Sequence, residues 1–236
     1  MYELIIANKN YSSWSLRPWV LLQSQQIPFK ETLIKFGDDF DDPAIRPLLP
    51  TGKVPVLIDG SIYVWDSLAI VEYLAERHSG VWPGDPAARA WARSAAAEMH
   101  SGFFALREHC SMSCGIRVQF AEMPDALARD LERIEALWAQ GLARFGGPFL
   151  AGDRFTAVDA FYAPVVFRIQ SYGLKPGPAA SAYVTTMLAH PAMRDWYDGA
   201  LAETMRDEAH EVSLRTAGAW TADLRAAPLL NPSLNG

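Results

Sequence analysis

The sequence has few cysteines, no long apolar run and no surplus of basic charge. Only two of the 236 residues are cysteine, so no disulfide framework is predicted. No apolar stretch approaches the roughly 20 residues that cross a bilayer, and the first ten residues lack the pattern of a secretory signal peptide. The formal net charge of −6 argues against a nucleic-acid partner. We therefore expect a cytoplasmic protein that binds neither nucleic acid nor membrane.

Two kinds of metal or redox chemistry also lack their motifs. The first half of the chain has no Cys-x-x-Cys pair, which argues against a dithiol oxidoreductase. Cys110 and Cys114 are one helical turn apart, but no second pair of ligands accompanies them. The five histidines form no metalloprotease motif. We therefore predict no bound metal.

The first eighty residues alternate between strand and helix patterns. Four short apolar or alternating runs predict strands, over 2–7, 30–35, 54–59 and 61–64. An Asp59-Gly60 turn suits a hairpin between the last two. Helical spacing predicts helices over 14–26 and from Asp66 to about 78, and Asp42-Pro43 could open a short third one. This order gives a four-stranded mixed sheet with three helices.

Residues 81–86 are dense in proline and glycine, and we interpret them as a linker between domains 1–80 and 87–212. Beyond the linker the strand patterns disappear. Helices are predicted over 87–114, 124–145, 156–170, 181–189 and 191–209. Short loops between them indicate a compact all-helical bundle, so the fold class is α/β followed by all-α. Residues 213–236 contain two prolines and are predicted to form a mobile or surface-draped tail.

The first candidate binding segment is Ser12-Ser13, between the first strand and the first helix. A hydroxyl there lies beside unpaired backbone N–H groups and the positive end of the helix dipole. That setting suits an anion, including a thiolate held by a serine hydroxyl. The alternative is that these serines only cap the helix.

Two further segments suit a peptide-like ligand. A cis bond at Pro55 would leave the main chain of Val54 able to pair with such a ligand. The simpler alternative is a trans bond and a Lys53 side chain that is only solvated. Asp66 and Ser67 open a helix, where the hydroxyl suits a carboxylate and the aspartate suits an ammonium. One ligand with an α-amino-acid end would satisfy both, and helix capping is again the alternative.

Taken together, the serine-rich loop, Gly52-Lys53-Val54-Pro55 and the segment Asp66-Ser67-Leu68-Ala69-Ile70 resemble the N-terminal domain of cytosolic glutathione transferases. Residues 149–159 add a Thr156-x-x-Asp159 box, which resembles the capping box that begins a central helix in that family. The resemblance covers residues 1 to about 210. It implies a thioredoxin-like domain, a helical C-terminal domain and a two-fold homodimer.

The resemblance also implies residue roles. Ser12, or alternatively Ser13, would donate a hydrogen bond to the glutathione thiolate. Val54, beside a cis Pro55, would pair with the cysteinyl unit. The ends of glutathione would be held by Lys53 (glycyl carboxylate), Ser67 (γ-glutamyl carboxylate) and Asp66 (γ-glutamyl ammonium). A small hydrophobic electrophile would occupy a pocket between the domains, with candidates by position Trp14, Phe104, Arg107, Cys110, Arg117 and Arg168.

Within the family, residues 12–17 resemble the Ser-Ser-Cys-Ser-Trp-Arg loop of the zeta class, which includes maleylacetoacetate isomerases. Trp14 replaces the cysteine of that loop, and Ser171 stands where those isomerases carry an arginine. The chain looks closer to bacterial transferase-like proteins with a Ser-Ser-Trp-Ser-Leu-Arg-Pro-Trp loop. A transferase acting in detoxification is the leading hypothesis. The alternatives are a zeta-type isomerase and a non-catalytic regulatory protein of the same fold.

Overall fold

The computed structural model describes residues 1–120 and 122–227, and its N-terminal part is built on a four-stranded sheet. The strands are β1 (Tyr2–Ala7), β2 (Phe29–Ile34), β3 (Val56–Asp59) and β4 (Ile62–Val64). They lie in the order β2-β1-β3-β4, where β1 and β2 are parallel and the other two pairs are antiparallel. This confirms the predicted mixed sheet.

Both faces of the central strand β1 are covered, since Leu4, Ile5 and Ile6 are fully buried. Helices α1 (Ser13–Ser24) and α2 (Ser67–Ala75) pack on the face of Leu4 and Ile6. The other face forms a smaller cluster under two short 3₁₀ turns, Asp38–Asp41 and Arg46–Leu48. These turns replace the short helix predicted after Asp42, because prolines 43, 47 and 50 interrupt the segment.

The C-terminal part is mainly helical, as predicted. Its helices are α3 (Pro86–Ser101), α4 (Phe104–His109), α5 (Asp125–Phe145), α6 (Ala157–Ser171), α7 (Pro178–Ala189), α8 (Pro191–Ala202) and α9 (Glu208–Ala217). Helix α6 is the central one, with every residue except Gln170 buried. The predicted capping box is present at its start, where the Asp159 carboxylate accepts from the Thr156 N–H at 2.9 Å.

Two helices predicted in this part end earlier than expected. The segment predicted as one helix over 87–114 breaks at Gly102-Phe103, where Phe103 has a left-handed backbone (φ 58°) that an α-helix cannot contain. The helix predicted over 191–209 ends at Ala202, and α9 begins six residues later. Among the described residues, no helix has the length and apolar character that a bilayer crossing needs.

The expectation that strands end at the linker is wrong. Strand β5 (Ile116–Phe120) pairs antiparallel with β6 (Gly218–Asp223). Residues 213–223, predicted as part of a tail, therefore belong to α9 and β6. The two strands lie about 100 residues apart along the chain, so no local hairpin signal marks either of them. Residues 228–236 lie outside the described residues.

Candidate functional site

Two adjoining cavities hold the candidate site. The first, about 550 Å³, lies between the loop 11–14, the segment 52–54 and the C-terminal helices. The second, about 360 Å³, lies between the segments 51–55 and 65–67, with His100 opposite. Trp14, Lys53 and Val54 line both cavities. A larger cavity of about 1060 Å³, beside residues 79–88, contains none of the predicted site residues, so the predicted chemistry indicates the two adjoining cavities instead.

Ser12 and Ser13 both line the first cavity and are nearly buried, at 5% and 7% exposure. Ser12 caps α1: its Oγ accepts from the Ser15 N–H at 3.4 Å and lies 2.7 Å from the Ser15 Oγ. The Ser15 Oγ in turn accepts from the Ala7 N–H at 3.2 Å. The Ser13 hydroxyl makes no hydrogen bond to the described residues. Ser12 therefore does cap α1, and the same residue lines the first cavity.

The segment before β3 lies where the two cavities meet. The Val54–Pro55 peptide bond is cis, as predicted. Pairing with β1 begins only at Val56, so the main chain of Val54 lies outside the ladder. Lys53 is exposed beside it. The segment thus offers both main-chain groups and a positive charge to the cavities.

Asp66 and Ser67 lie at the start of α2, in the second cavity. The Asp66 Oδ1 caps the helix by accepting from the Leu68 N–H at 2.9 Å, and its Oδ2 lies 3.3 Å from the His100 Nε2. Ser67 is fully buried, and its hydroxyl has no hydrogen-bond partner among the described residues. An unpaired buried hydroxyl at a helix N-terminus suits a carboxylate.

His100 was not predicted from the sequence. Burial lowers its pKa, and the neighbouring Arg17 and Arg107 lower it further, against the opposing effect of Asp66. The imidazole is therefore mostly neutral near pH 7. Its contact with the Asp66 carboxylate is then not a full ion pair, which leaves that carboxylate's charge uncompensated for a ligand cation.

Of the predicted second-substrate residues, three line the first cavity: Trp14, Arg107 and Arg168. Phe104 does not, because the break before α4 leaves it 73% exposed. Cys110 is fully buried behind Arg168, whose Nε donates to the Cys110 carbonyl at 2.6 Å. Burial raises the pKa of the Cys110 thiol to about 12, so it is not a nucleophile. Arg117 is bonded to the Cys114 carbonyl, away from the cavity.

Arg17, Tyr11 and His210, which the sequence analysis did not name as site residues, lie in or beside the first cavity. Two guanidinium groups lie close to the Trp14 ring, that of Arg17 at 4.0 Å and that of Arg107 at 4.7 Å from its centroid. His210 of α9 stacks on Tyr11 at 4.9 Å between ring centroids. Arg17 follows Trp14 by three positions on one helix, and this spacing predicts that the two side chains are neighbours. No pattern in the sequence around His210 indicates that it lies beside the first cavity.

Comparison with known families assigns both halves of the chain. The family model described as "Glutathione S-transferase, N-terminal domain" matches residues 11–77, and "Glutathione S-transferase, C-terminal domain" matches residues 117–199. Together these matches cover more than half of the chain. The chain belongs to the glutathione S-transferase family.

Individual relatives of this glutathione S-transferase family member are distant. The protein named glutathione S-transferase T2 from Arabidopsis thaliana is 24% identical over 212 residues, and the match covers 83% of this chain. It covers only 34% of that protein, so this chain spans about a third of its length. A probable maleylacetoacetate isomerase from Caenorhabditis elegans is 27% identical, covering 77% of this chain and 86% of the isomerase.

A solved structure shares the fold. A glutathione transferase homologue from Burkholderia, crystallised with bound glutathione, superposes with a TM-score of 0.63 at 21% identity. The alignment covers 84% of this chain and 96% of the homologue. Over the described residues of the present chain, no group of three or more His, Cys, Asp or Glu side chains is placed to hold a metal ion.

Proposed function

We propose that this protein binds glutathione across the two adjoining cavities and activates its thiol for reaction with a small electrophile. The observation that carries the proposal is the meeting of the cavities at Trp14 and Val54. On one side lies the unpaired hydroxyl of Ser67, and on the other lie the hydroxyls of Ser12 and Ser13. Because the cavities share Trp14, Lys53 and Val54, one tripeptide would occupy both.

The second cavity would hold the γ-glutamyl end of glutathione. Its carboxylate would accept from the Ser67 hydroxyl and from N–H groups in the first turn of α2. Its ammonium would lie against the Asp66 carboxylate, which is 56% exposed at the side chain and faces a mostly neutral histidine. Lys53 would face the glycyl carboxylate, and the main chain of Val54 would pair with the cysteinyl unit.

The thiol would then lie in the first cavity, next to the start of α1. A free thiol has a pKa of roughly 8.5, so it must be stabilised as a thiolate to react at neutral pH. The Ser12 and Ser15 hydroxyls, 2.7 Å apart, can exchange donor and acceptor roles. When the Ser12 O–H turns to the sulfur, Ser15 can donate to Ser12, so no hydrogen bond between them is lost. Ser13 is the alternative donor.

The reaction needs no cofactor beyond glutathione. The thiolate forms a carbon–sulfur bond with the electrophile while a leaving group departs with its electron pair. With an unsaturated electrophile, the thiolate adds to one carbon and the neighbouring carbon takes a proton from water. Reversal of such an addition after rotation would give the zeta-type isomerisation that remains the alternative activity.

The proposal extends to the setting of the protein. We infer a cytoplasmic homodimer with a role in detoxification, in line with its family resemblance. Light scattering tests the assembly: a dimer has twice the chain mass of 26.1 kDa, and a monomer would contradict this part of the proposal.

The central experiment is isothermal titration with glutathione and with S-hexylglutathione. We expect both to bind, the alkyl form more tightly, because its chain enters the first cavity. If neither binds, the proposed function is wrong. Binding without conjugation, isomerisation or peroxidase turnover across a panel of electrophiles would favour the non-catalytic regulatory alternative.

A further inference from the structure

Three arginines converge on the electrophile side of the first cavity. Arg107 and Arg168 line it, and the Arg17 guanidinium lies 4.0 Å from the centroid of the Trp14 ring, which also lines it. They come from three different helices, α4, α6 and α1. Such a concentration of positive charge is unexpected in a chain whose net charge is −6.

The N–H groups of these arginines are only partly used by the protein. All three guanidinium nitrogens of the fully buried Arg17 lack a hydrogen-bond partner among the described residues. Arg168 is 4% exposed; its Nε bonds the Cys110 carbonyl, but its Nη1 has no such partner. Arg107 donates to the carbonyls of Met99 and Gly102. These backbone contacts position Arg107 and Arg168 but leave Nη1 of Arg168 unsatisfied.

No carboxylate of the described chain neutralises the cluster through an ion pair. Asp130 lies towards Arg107 but accepts from the Leu106 N–H at 2.9 Å. Asp66 lies towards Arg17 but caps α2. Burial, and then the charge of Arg107, lowers the pKa of Arg168 to about 10. Like charges that are buried together without a counter-ion are costly, so a bound anion would relieve both the repulsion and the missing hydrogen bonds.

We propose that the electrophile bound in the first cavity carries a carboxylate, and that Arg168 and Arg107 determine this specificity. This inference rests on the proposed function and revises the prediction of a purely hydrophobic second substrate. A carboxylate can accept two hydrogen bonds from one guanidinium in a fixed geometry, which a neutral group of similar size cannot match. The carbon skeleton would lie against the aromatic and apolar walls formed by Trp14, Phe36 and Met112.

The test compares two glutathione derivatives of equal chain length. S-hexylglutathione ends in a methyl group, and S-(5-carboxypentyl)glutathione ends in a carboxylate at the same position. By titration calorimetry at low ionic strength, we expect the acid to bind at least about tenfold more tightly to the unaltered protein, as a charge-assisted hydrogen bond implies. This preference should shrink as salt is added.

Variants then locate the effect. Arg168→Met and Arg107→Met should each remove most of the preference, taken as the ratio of the two affinities within the same variant, and Arg168→Lys should restore part of it. Arg117→Met is the matched control, because Arg117 is half-buried like Arg107 but bonds the Cys114 carbonyl and the Tyr197 hydroxyl. It should keep the full preference.

The possible failures are distinguishable. Equal or weaker binding of the acid to the unaltered protein would overturn the inference and leave the glutathione proposal standing. A preference that survives in both Arg168→Met and Arg107→Met would overturn the assignment of these residues. If Arg168→Met does not fold, the unaltered protein and Arg107→Met still decide. Absence of binding for glutathione and both derivatives would overturn the proposed function itself.

Discussion

Replacing the serine that caps α1 tests the proposed thiolate stabilisation. In Ser12→Ala the glutathione sulfur loses one charge-assisted hydrogen bond, worth about 1.5–3 kcal/mol. Since one pKa unit corresponds to about 1.4 kcal/mol, the pKa of the bound thiol should rise by about 1–2 units. If it is near 6.5 in the unaltered protein, the thiolate fraction at pH 6.5 falls from about one half to between a tenth and a hundredth.

Because Ser12→Ala raises the thiol pKa, the loss of activity in this variant depends on pH. The variant should lose about 5- to 50-fold in kcat/KM at pH 6.5 and recover most of it above pH 9, where both proteins hold thiolate. The pKa itself is measured from the ultraviolet absorbance of the thiolate during a pH titration of the complex. Ser13→Ala is measured alongside, because the Ser13 hydroxyl also lines the cavity.

The control is Ser94→Ala, an exposed helical serine whose hydroxyl bonds the Ala90 carbonyl far from both cavities. It should leave the thiol pKa unchanged. If both Ser12→Ala and Ser13→Ala bind glutathione and neither raises the thiol pKa by more than about 0.3 units, neither hydroxyl stabilises the thiolate.

Three further predictions test other parts of the chain. Ser67→Ala should weaken glutathione binding about tenfold by calorimetry without lowering stability, because its buried hydroxyl has no partner among the described residues. Glu211→Gln should lower the free energy of unfolding by about 1.5–3 kcal/mol in urea, because the buried Arg225 then keeps only the more exposed Asp223 as a counter-charge; no change would refute this. Burial raises the pKa of Asp159 to about 6, so between pH 6 and pH 4 the folded chain binds a proton that the unfolded chain does not. The unaltered protein should therefore gain stability relative to Asp159→Asn as the pH falls through this window. If urea unfolding gives the same difference in free energy between the two proteins at pH 6 and at pH 4, the prediction is wrong.

The sequence predicted those site residues whose type and position beside the start of a helix or strand indicate their role. Ser12-Ser13 and Asp66-Ser67 each stand at the start of a helix, where residue type and position together indicate capping and anion binding. Pro55 directly precedes β3, a position where a proline has few permitted roles. The structure brings all of these residues to the two adjoining cavities.

The arginine cluster had only a partial signal. Arg107 and Arg168 were predicted by position, but Arg17 was not, and nothing indicated that the three meet. Their meeting depends on how α1, α4 and α6 pack, which is fixed by tertiary contacts rather than by any spacing along the chain. The same limit explains Phe104, which a continuous helix would have kept on the helical face but which the break at Gly102 leaves exposed.

The prediction of a tail from residue 213 onwards relied on composition, which does not show the contacts that this segment makes. Arg225, whose side chain is 1% exposed, donates to the Tyr11 hydroxyl at 2.9 Å and pairs with Glu211, and Tyr11 also donates to Glu211 at 2.6 Å. The partners are 14 and 214 residues away from Arg225, so no window of sequence contains the arrangement. Because Tyr11 directly precedes the serine pair and carries His210 on its ring, this buried triad fixes α9 against the first cavity. Residues near the C-terminal end therefore form part of the wall of the site, and a change at Arg225 should alter ligand binding as well as stability.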